Sequence, residues 1–206
     1  MDINETEKEI RKNQKNEFGK LMNRVWKTWH ARIKLANRLN DFSKKIEFMS
    51  ALYSIAISIM TIFTITDTGS NNPFYVYMTS VLSFIVTGLV FYGNTMNLKD
   101  RYILAKDNYI KLNELYYILV DEYNKEDYSN FLKHTNSYNK YLKECENHTT
   151  NDYIEACLED PESKGKINTF QINIYFIKKL LKQTLVGLVI LFPIILVILS
   201  ILLVLK

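Results

Sequence analysis

Apolar residues in this chain follow two patterns: long runs without any charge, and stretches in which they recur at alternate spacings of four and three. The runs cover residues 48–66, 74–92 and 184–205, and none contains an acidic or basic residue. Crossing the hydrocarbon core of a bilayer takes about 20 apolar residues in a helix. The third run, dominated by Leu, Ile and Val, meets that requirement outright. The first two are punctuated by Ser and Thr, which bond back to their own helix in lipid and often mark helix contacts. A buried soluble hairpin is the alternative for that pair. The linker between them, DTGSNNP (67–73), contains Gly69, Asn71, Asn72 and Pro73 and predicts a tight turn. The first two runs are therefore expected to form an antiparallel membrane hairpin.

The spaced pattern predicts what lies beyond the hairpin. Phe18, Met22, Val25, Trp29, Arg32, Ala36 and Leu39 form a heptad seam, with Arg32 its one charged member. No Pro or Gly interrupts residues 20–66, so this helix is expected to run straight into the first span. Leu98, Tyr102, Ala105, Tyr109, Leu112, Tyr116, Leu119 and Tyr123 form a second seam after the second span. Two seams leaving the membrane on one side predict an antiparallel coiled coil about 40 Å long at 1.5 Å per residue. A lone Arg in such a seam is costly unless paired or stacked. Counting equal distances from the membrane puts Arg32 near residues 105–109, with Tyr109 the candidate for stacking and Asp107 a weaker candidate for an ion pair. Residues 127–148 and 151–159 predict two further helices, 160–166 a loop, and 167–183 a helix leading into the last span.

The fold class expected is thus an all-α membrane protein: a transmembrane helical hairpin continued by a cytoplasmic antiparallel coiled coil, plus a C-terminal transmembrane helix. Its parts are a basic amphipathic helix (1–45), the hairpin (46–92), a cytoplasmic helical region (93–183) and the last span (184–205).

Charge orients this arrangement. Residues 1–45 carry 12 Lys/Arg against 6 Asp/Glu, whereas the 67–73 linker carries one acid and no base. Lys99, Arg101 and Lys106 follow the second span, and Lys178, Lys179 and Lys182 precede the third. By the positive-inside rule the N-terminus is expected in the cytoplasm and the C-terminus outside, in a cell inner membrane. Lys20, Arg24, Lys27, Lys34 and Arg38 share a face away from the seam, as do Asp100, Asp107, Glu114 and Asp121 on the later helix. Arg24, Lys27, Asp107 and Glu114 are candidate contacts between copies in a homo-oligomer; the alternative is two solvated faces. Ser50, Ser54, Ser58 and Thr61 line one face of the first span, and Thr79, Ser83 and Thr87 one face of the second. These are candidate pore-lining residues, or else contact glue within one protomer.

Reaction chemistry is scarce. The two cysteines, Cys145 and Cys157, fall in a region expected to be reducing, against a structural disulfide. With His134 and His148 they make a C-x-x-H set that matches no common zinc module. His30 is expected to be solvated. No phosphate-binding Gly-rich loop and no Ser/His/Asp set stands out. The chain is read as a non-enzyme with no cofactor, no metal and no direct nucleic-acid binding. Charge-free spans, broken only by Pro193, disfavour a transporter.

The order of motifs adds a resemblance. A W-K-T-x-x-A-R run (26–32) precedes the hairpin, ELYYIL (114–119) lies on the heptad helix, and YNKYLKECENHTTNDY (138–153) follows. This is similar to the SLATT family, the SMODS- and SLOG-associating two-transmembrane effector domains of bacterial conflict systems. The best fit is to the reverse-transcriptase-associated subfamily, through Trp26 with Arg32 and through Glu146, Asn147, His148, Asp152 and Tyr153. The resemblance implies a membrane effector of antiviral defence that permeabilises the membrane when a cognate sensor, a reverse-transcriptase or nucleotide-signalling system, fires. The third span departs from a two-span core. A non-conducting anchor or adaptor, recruiting a soluble partner through the cytoplasmic helices, is the other class the pattern allows.

Overall fold

The computed structural model describes residues 3–65, 73–160 and 167–204, and its regular elements are all helices. These are α1 (Ile3–Ile65), α2 (Pro73–Thr95), α3 (Leu98–Asn124), α4 (Phe131–Glu144), α5 (Thr150–Glu159) and α6 (Thr169–Val204). The turn expected at 67–73 lies outside the described residues apart from Pro73, and so does most of the loop at 160–166. Pro73 opens α2, where its missing N–H would have had no helical partner anyway. Helix α1 runs unbroken for 63 residues, as the lack of Pro and of any Gly after Gly19 allows. It serves two compact units: Met1–Leu39 with Lys99–Asn168, and Asn40–Leu98 with Thr169–Lys206.

The first unit is the antiparallel helix pair with a third layer upon it. Lys15 pairs with Glu126 at 3.1 Å, Phe18 lies 6.4 Å from Tyr123, and Trp29 lies 5.6 Å from Tyr116. Numbers rising on α1 meet numbers falling on α3. Phe18, Leu21 and Val25 pack against Leu112, Leu115 and Leu119, and Tyr138 of α4 closes the cluster. Burying each such Leu contributes about 1.5–3 kcal/mol.

The every-seventh positions of both expected seams are buried: Phe18, Val25, Arg32 and Leu39 on α1, and Ala105, Leu112 and Leu119 on α3. Of the positions between them, Ala36 is buried as expected, and four others shift by one residue. Leu21 and Thr28 are buried while Met22 and Trp29 are half-exposed, and Asn108 and Leu115 are buried while Tyr109 and Tyr116 are not. The cause is α4. Thr28 Oγ1 lies 2.9 Å from the Tyr138 hydroxyl, and Asn108 Nδ2 donates to the Tyr141 carbonyl at 2.7 Å. A helix that must face two neighbours turns its buried stripe toward the space between them. Lys15 with Glu126 and Phe18 with Tyr123 match the register that equal counting predicts, while the Trp29 ring reaches Tyr116 and Tyr117, further along α3. Between α2 and α3 the helix is interrupted at Met96–Asn97, with Asn97 at φ 46.

The second unit packs three helices, each long and apolar enough to cross a membrane. Phe42 meets Tyr92 at 6.1 Å and Phe63 meets Tyr75 at 5.8 Å, so α1 and α2 run antiparallel. A methyl built on Gly93 would lie 3.2 Å from the Ile46 side chain, so glycine there lets the two backbones close up. Lys182 sits 5.5 Å over the Phe42 ring, Tyr53 bonds to Val189, and Met60 bonds to Ser200. These three pairs rise together, so α6 runs parallel to α1. The core joins Tyr53, Ala56 and Met60 of α1, Tyr75 and Leu82 of α2, and Leu196 of α6. Outside it, Ile62, Phe84, Phe91, Leu188 and Ile195 are exposed, as lipid contact requires.

One contact in this unit follows directly from covalent structure. Pro193 lies inside α6 and has no N–H to give to the carbonyl four residues earlier, that of Val189. In hydrocarbon an unpaired carbonyl costs several kcal/mol. The Tyr53 hydroxyl donates to the Val189 carbonyl at 2.8 Å. The proline and the tyrosine therefore form one device across 136 residues of sequence. Tyr53→Phe is expected to destabilise the membrane unit by about 1 kcal/mol. In a Pro193→Leu background, whose restored N–H serves Val189, the same change is expected to cost little. Reversible unfolding in mixed micelles measures this cycle; equal costs in both backgrounds would show that the hydroxyl does not serve the proline.

Candidate functional site

The segment that carries the E-N-H-x-x-x-D-Y residues is the most densely bonded polar region described. Helix α4 stops at Cys145, whose backbone is extended, and α5 restarts after Thr149. Thr149 and Asp152 form a reciprocal capping box. The Asp152 carboxylate accepts from the Thr149 N–H at 2.8 Å and from the Thr149 hydroxyl at 2.8 Å. That leaves its other lone pairs for the fork of Arg38 on α1, with Nε at 2.8 Å and Nη2 at 3.1 Å. Asp152 is only 2% exposed, so this full satisfaction is what makes a buried carboxylate affordable.

Two more arginines hold the same segment. Arg101 of α3 grips the Glu146 carboxylate through Nε and Nη2 at 2.7–3.1 Å. Arg32 of α1 donates from Nη1 to the Glu146 backbone carbonyl. Lys34 pairs with Glu159 at the far end of α5. The segment is thus fastened to α1 by Arg32, Lys34 and Arg38 and to α3 by Arg101. Further along the unit, beside Phe18, Glu122 receives His134 at 2.8 Å and Asn130 at 3.1 Å, tying α4 to α3.

Burial dominates the electrostatics of the segment, and the Arg32 charge acts on two of its groups. Burial pushes the Cys145 thiol up, against the opposing pull of the Arg32 charge. Burial holds His148 below its ordinary value, Arg32 adds to that effect, and Asp152 opposes it. The Tyr153 hydroxyl is raised, first by its hydrogen bond with Cys157 and then by burial.

The expected site residues can now be placed. Arg32 is buried and hydrogen-bonded, as a lone seam arginine must be, but through Glu146. Among the described residues it neither stacks on Tyr109 nor pairs with Asp107, which is exposed. Trp29 flanks the seam, its ring tilted against that of His30 at 4.3 Å. His30 is not solvated: it also lies 4.1 Å from Trp26 and bonds through Nδ1 to the Trp26 carbonyl at 2.9 Å. The basic stripe divides. Lys34 and Arg38 are used within the protomer, while Arg24, Asp107 and Glu114 are exposed and Lys27 half-buried, without ion pairs among the described residues. The four residues weighed for zinc do not converge, and no group of three metal-ligating side chains forms among the described residues.

The hydroxyl stripes face outward. Ser54, Ser58, Thr61, Ser83 and Thr87 are exposed, and each donates to the carbonyl four residues back in its own helix. Thr79 does the same at 3.0 Å, and Ser50 is partly buried with no partner for its hydroxyl among the described residues. Contact glue inside one protomer is therefore not their role along most of each stripe.

Sequence reasoning found Arg32 but missed Arg38, Arg101 and the Tyr53–Pro193 device. The one legible signal was the T-x-x-D spacing at 149–152, a helix start with a carboxylate. What Asp152 binds lies 114 residues away.

Helices able to cross a membrane, together with a helical unit stapled by arginine–carboxylate pairs, define an all-α membrane protein. Residues 14–199 match the model of the SMODS and SLOG-associating 2TM effector domain family 5. The chain belongs to that family, with a third membrane-competent helix beside the two of the family's description. No curated protein and no solved structure matches it.

His148 gives a pH signature. The unfolded chain protonates it near its ordinary 6.5, whereas the fold holds it neutral to lower pH. Its contribution to stability is therefore complete above that value and is lost as pH falls through it. The melting temperature is expected to drop between about pH 7 and 5, and His148→Gln is expected to flatten the drop. An unchanged slope in the variant would place the titrating group elsewhere.

Proposed function

We propose that this chain is a non-enzymatic effector of a bacterial defence system whose copies assemble in the inner membrane and permeabilise it on a signal from a cognate sensor. Its N-terminus is cytoplasmic, and the lipid bilayer and further copies of the chain are its main partners. Family membership supports the effector role. The observation that carries permeabilisation is the outward direction of the hydroxyl stripes on α1 and α2. Three packed helices leave no aqueous path, so conduction needs several copies. Hydroxyls that bond only back to their own helix keep acceptor lone pairs facing outward and supply a weakly polar lining once copies surround an axis.

A second exposed pattern supports assembly. On α3, Ile103, Ile110 and Tyr117 recur every seven residues on the face away from the core, beside Leu104 and Ile118, and all are exposed. Apart from Trp29 of α1 beside Tyr117, no helix among the described residues covers this stripe. Lys99 and Lys106 flank it on one side, and Asp100, Asp107 and Glu114 on the other. Copies inserted in one membrane are parallel, and parallel pairing sets the basic flank of one against the acidic flank of the next. Arg24 and Lys27 on α1 remain candidate contacts of the same kind.

The same stripe supports the alternative, a non-conducting adaptor that binds a soluble helix. Two readouts separate the readings. In vesicles containing phosphatidylglycerol, the wild-type chain is expected to release trapped dye, and Ile110→Cys to crosslink between copies. Ser58→Leu with Ser83→Leu is expected to reduce leakage with crosslinking intact, and Ile103→Glu with Ile110→Glu to abolish both. Leakage from a species that stays monomeric would overturn the pore reading, and crosslinking without any leakage would favour the adaptor.

A further inference from the structure

Three arginines surround the 145–152 segment, and two of them present the same edge to a carboxylate. Arg38 uses Nε and Nη2 on Asp152, and Arg101 uses Nε and Nη2 on Glu146. That edge carries two parallel N–H donors and matches the two oxygens of a carboxylate or phosphate. On Arg32 the corresponding edge is unused. Its Nη1 is bonded to the Glu146 carbonyl, but Nε and Nη2 are buried with no hydrogen-bond partner among the described residues.

The side chain is fully buried, at 0% exposure, and a guanidinium does not lose its proton in a protein. The two carboxylates that could neutralise it are already forked by Arg38 and Arg101. The Cys145 thiol engages the Arg32 side chain and feels its charge, but burial favours the neutral thiol, which brings no negative charge to Arg32. His148 also feels that charge and carries a buried Nδ1 without a partner among the described residues. The result is a buried guanidinium with no anion partner among the described residues, whose charge reaches a His148 that also has an unsatisfied nitrogen. A buried cation lacking an anion costs several kcal/mol, and an anion supplying two oxygens removes that cost.

We propose that Arg32 and His148 form a binding site for a small oxoanion, a carboxylate or phosphate group held side-on by Arg32 Nε and Nη2 with His148 Nδ1 as a third contact. The 145–148 loop covers the site, so entry requires that loop to lift, and occupancy fastens it to α1. The site does not depend on the pore reading, since it lies within the helical unit and its test uses binding alone.

The experiment titrates the full-length chain in detergent with inorganic phosphate and, separately, with acetate at constant ionic strength. The Arg32 Nε–H resonance is followed in a sample with 15N-labelled arginine and assigned by its loss in Arg32→Lys. One of the two anions is expected to shift that resonance saturably and to raise the melting temperature with the same midpoint. Phosphate acting alone identifies a phosphate group, and acetate acting alone a carboxylate. Arg32→Lys, which keeps the charge but not the fork, is expected to weaken the stabilisation at least about tenfold, whereas exposed Arg24→Lys leaves it unchanged. No movement of the wild-type resonance with either anion would overturn the proposal. So would anion stabilisation that Arg32→Lys retains in full.

Discussion

A polar group removed from water must find a partner, and this constraint shapes both units of the chain. Helix α1 supplies the partner in each case. In the membrane unit the group is a carbonyl orphaned by Pro193, and Tyr53 of α1 reaches it. In the helical unit the group is the carboxylate of Asp152, and Arg38 of α1 reaches it. Apolar burial along α1 supplies most of the stabilisation, but it is tolerant of sliding and rotation. The hydrogen bonds are not. They select the register in which Tyr53 meets Val189 and the rotation in which Arg38 meets the capping box of α5.

The sequence allowed some of this to be read and hid the rest for identifiable reasons. The heptad positions 18, 25, 32 and 39 and their partners 105, 112 and 119 were legible because they are apolar, or conspicuously charged, at a fixed period. The intermediate positions were not, because α4 draws the buried stripe toward itself, and no period announces a third helix. The antiparallel pairing was legible from the hairpin, whereas the break at Asn97 was not, since no proline or glycine stands there. Arg32 was legible as a buried charge needing a partner. Its partner was not, because a backbone carbonyl on a distant loop leaves no mark in composition. The same holds for Tyr53: a tyrosine in a charge-free run looks like any other aromatic until the proline on another span is brought beside it.

Membership in a two-span effector family accounts for α1 and α2, and the structure adds how α6 joins them. It runs parallel to α1 and contributes Leu196 to the shared core, with Ser200 bonded to Met60. The Ser/Thr faces of α1 and α2 are left uncovered by this packing.

The central structural claim is that α6 is a third membrane span, crossing in the same direction as α1. Reporter fusions or cysteine labelling in intact cells test it at three positions: the N-terminus, residue 70 and residue 206. The account predicts the N-terminus in the cytoplasm and both residue 70 and residue 206 outside. A cytoplasmic signal at residue 206 would contradict it, since α6 would then turn back or lie along the membrane surface, and the Tyr53–Val189 bond could not form within a packed trio of spans.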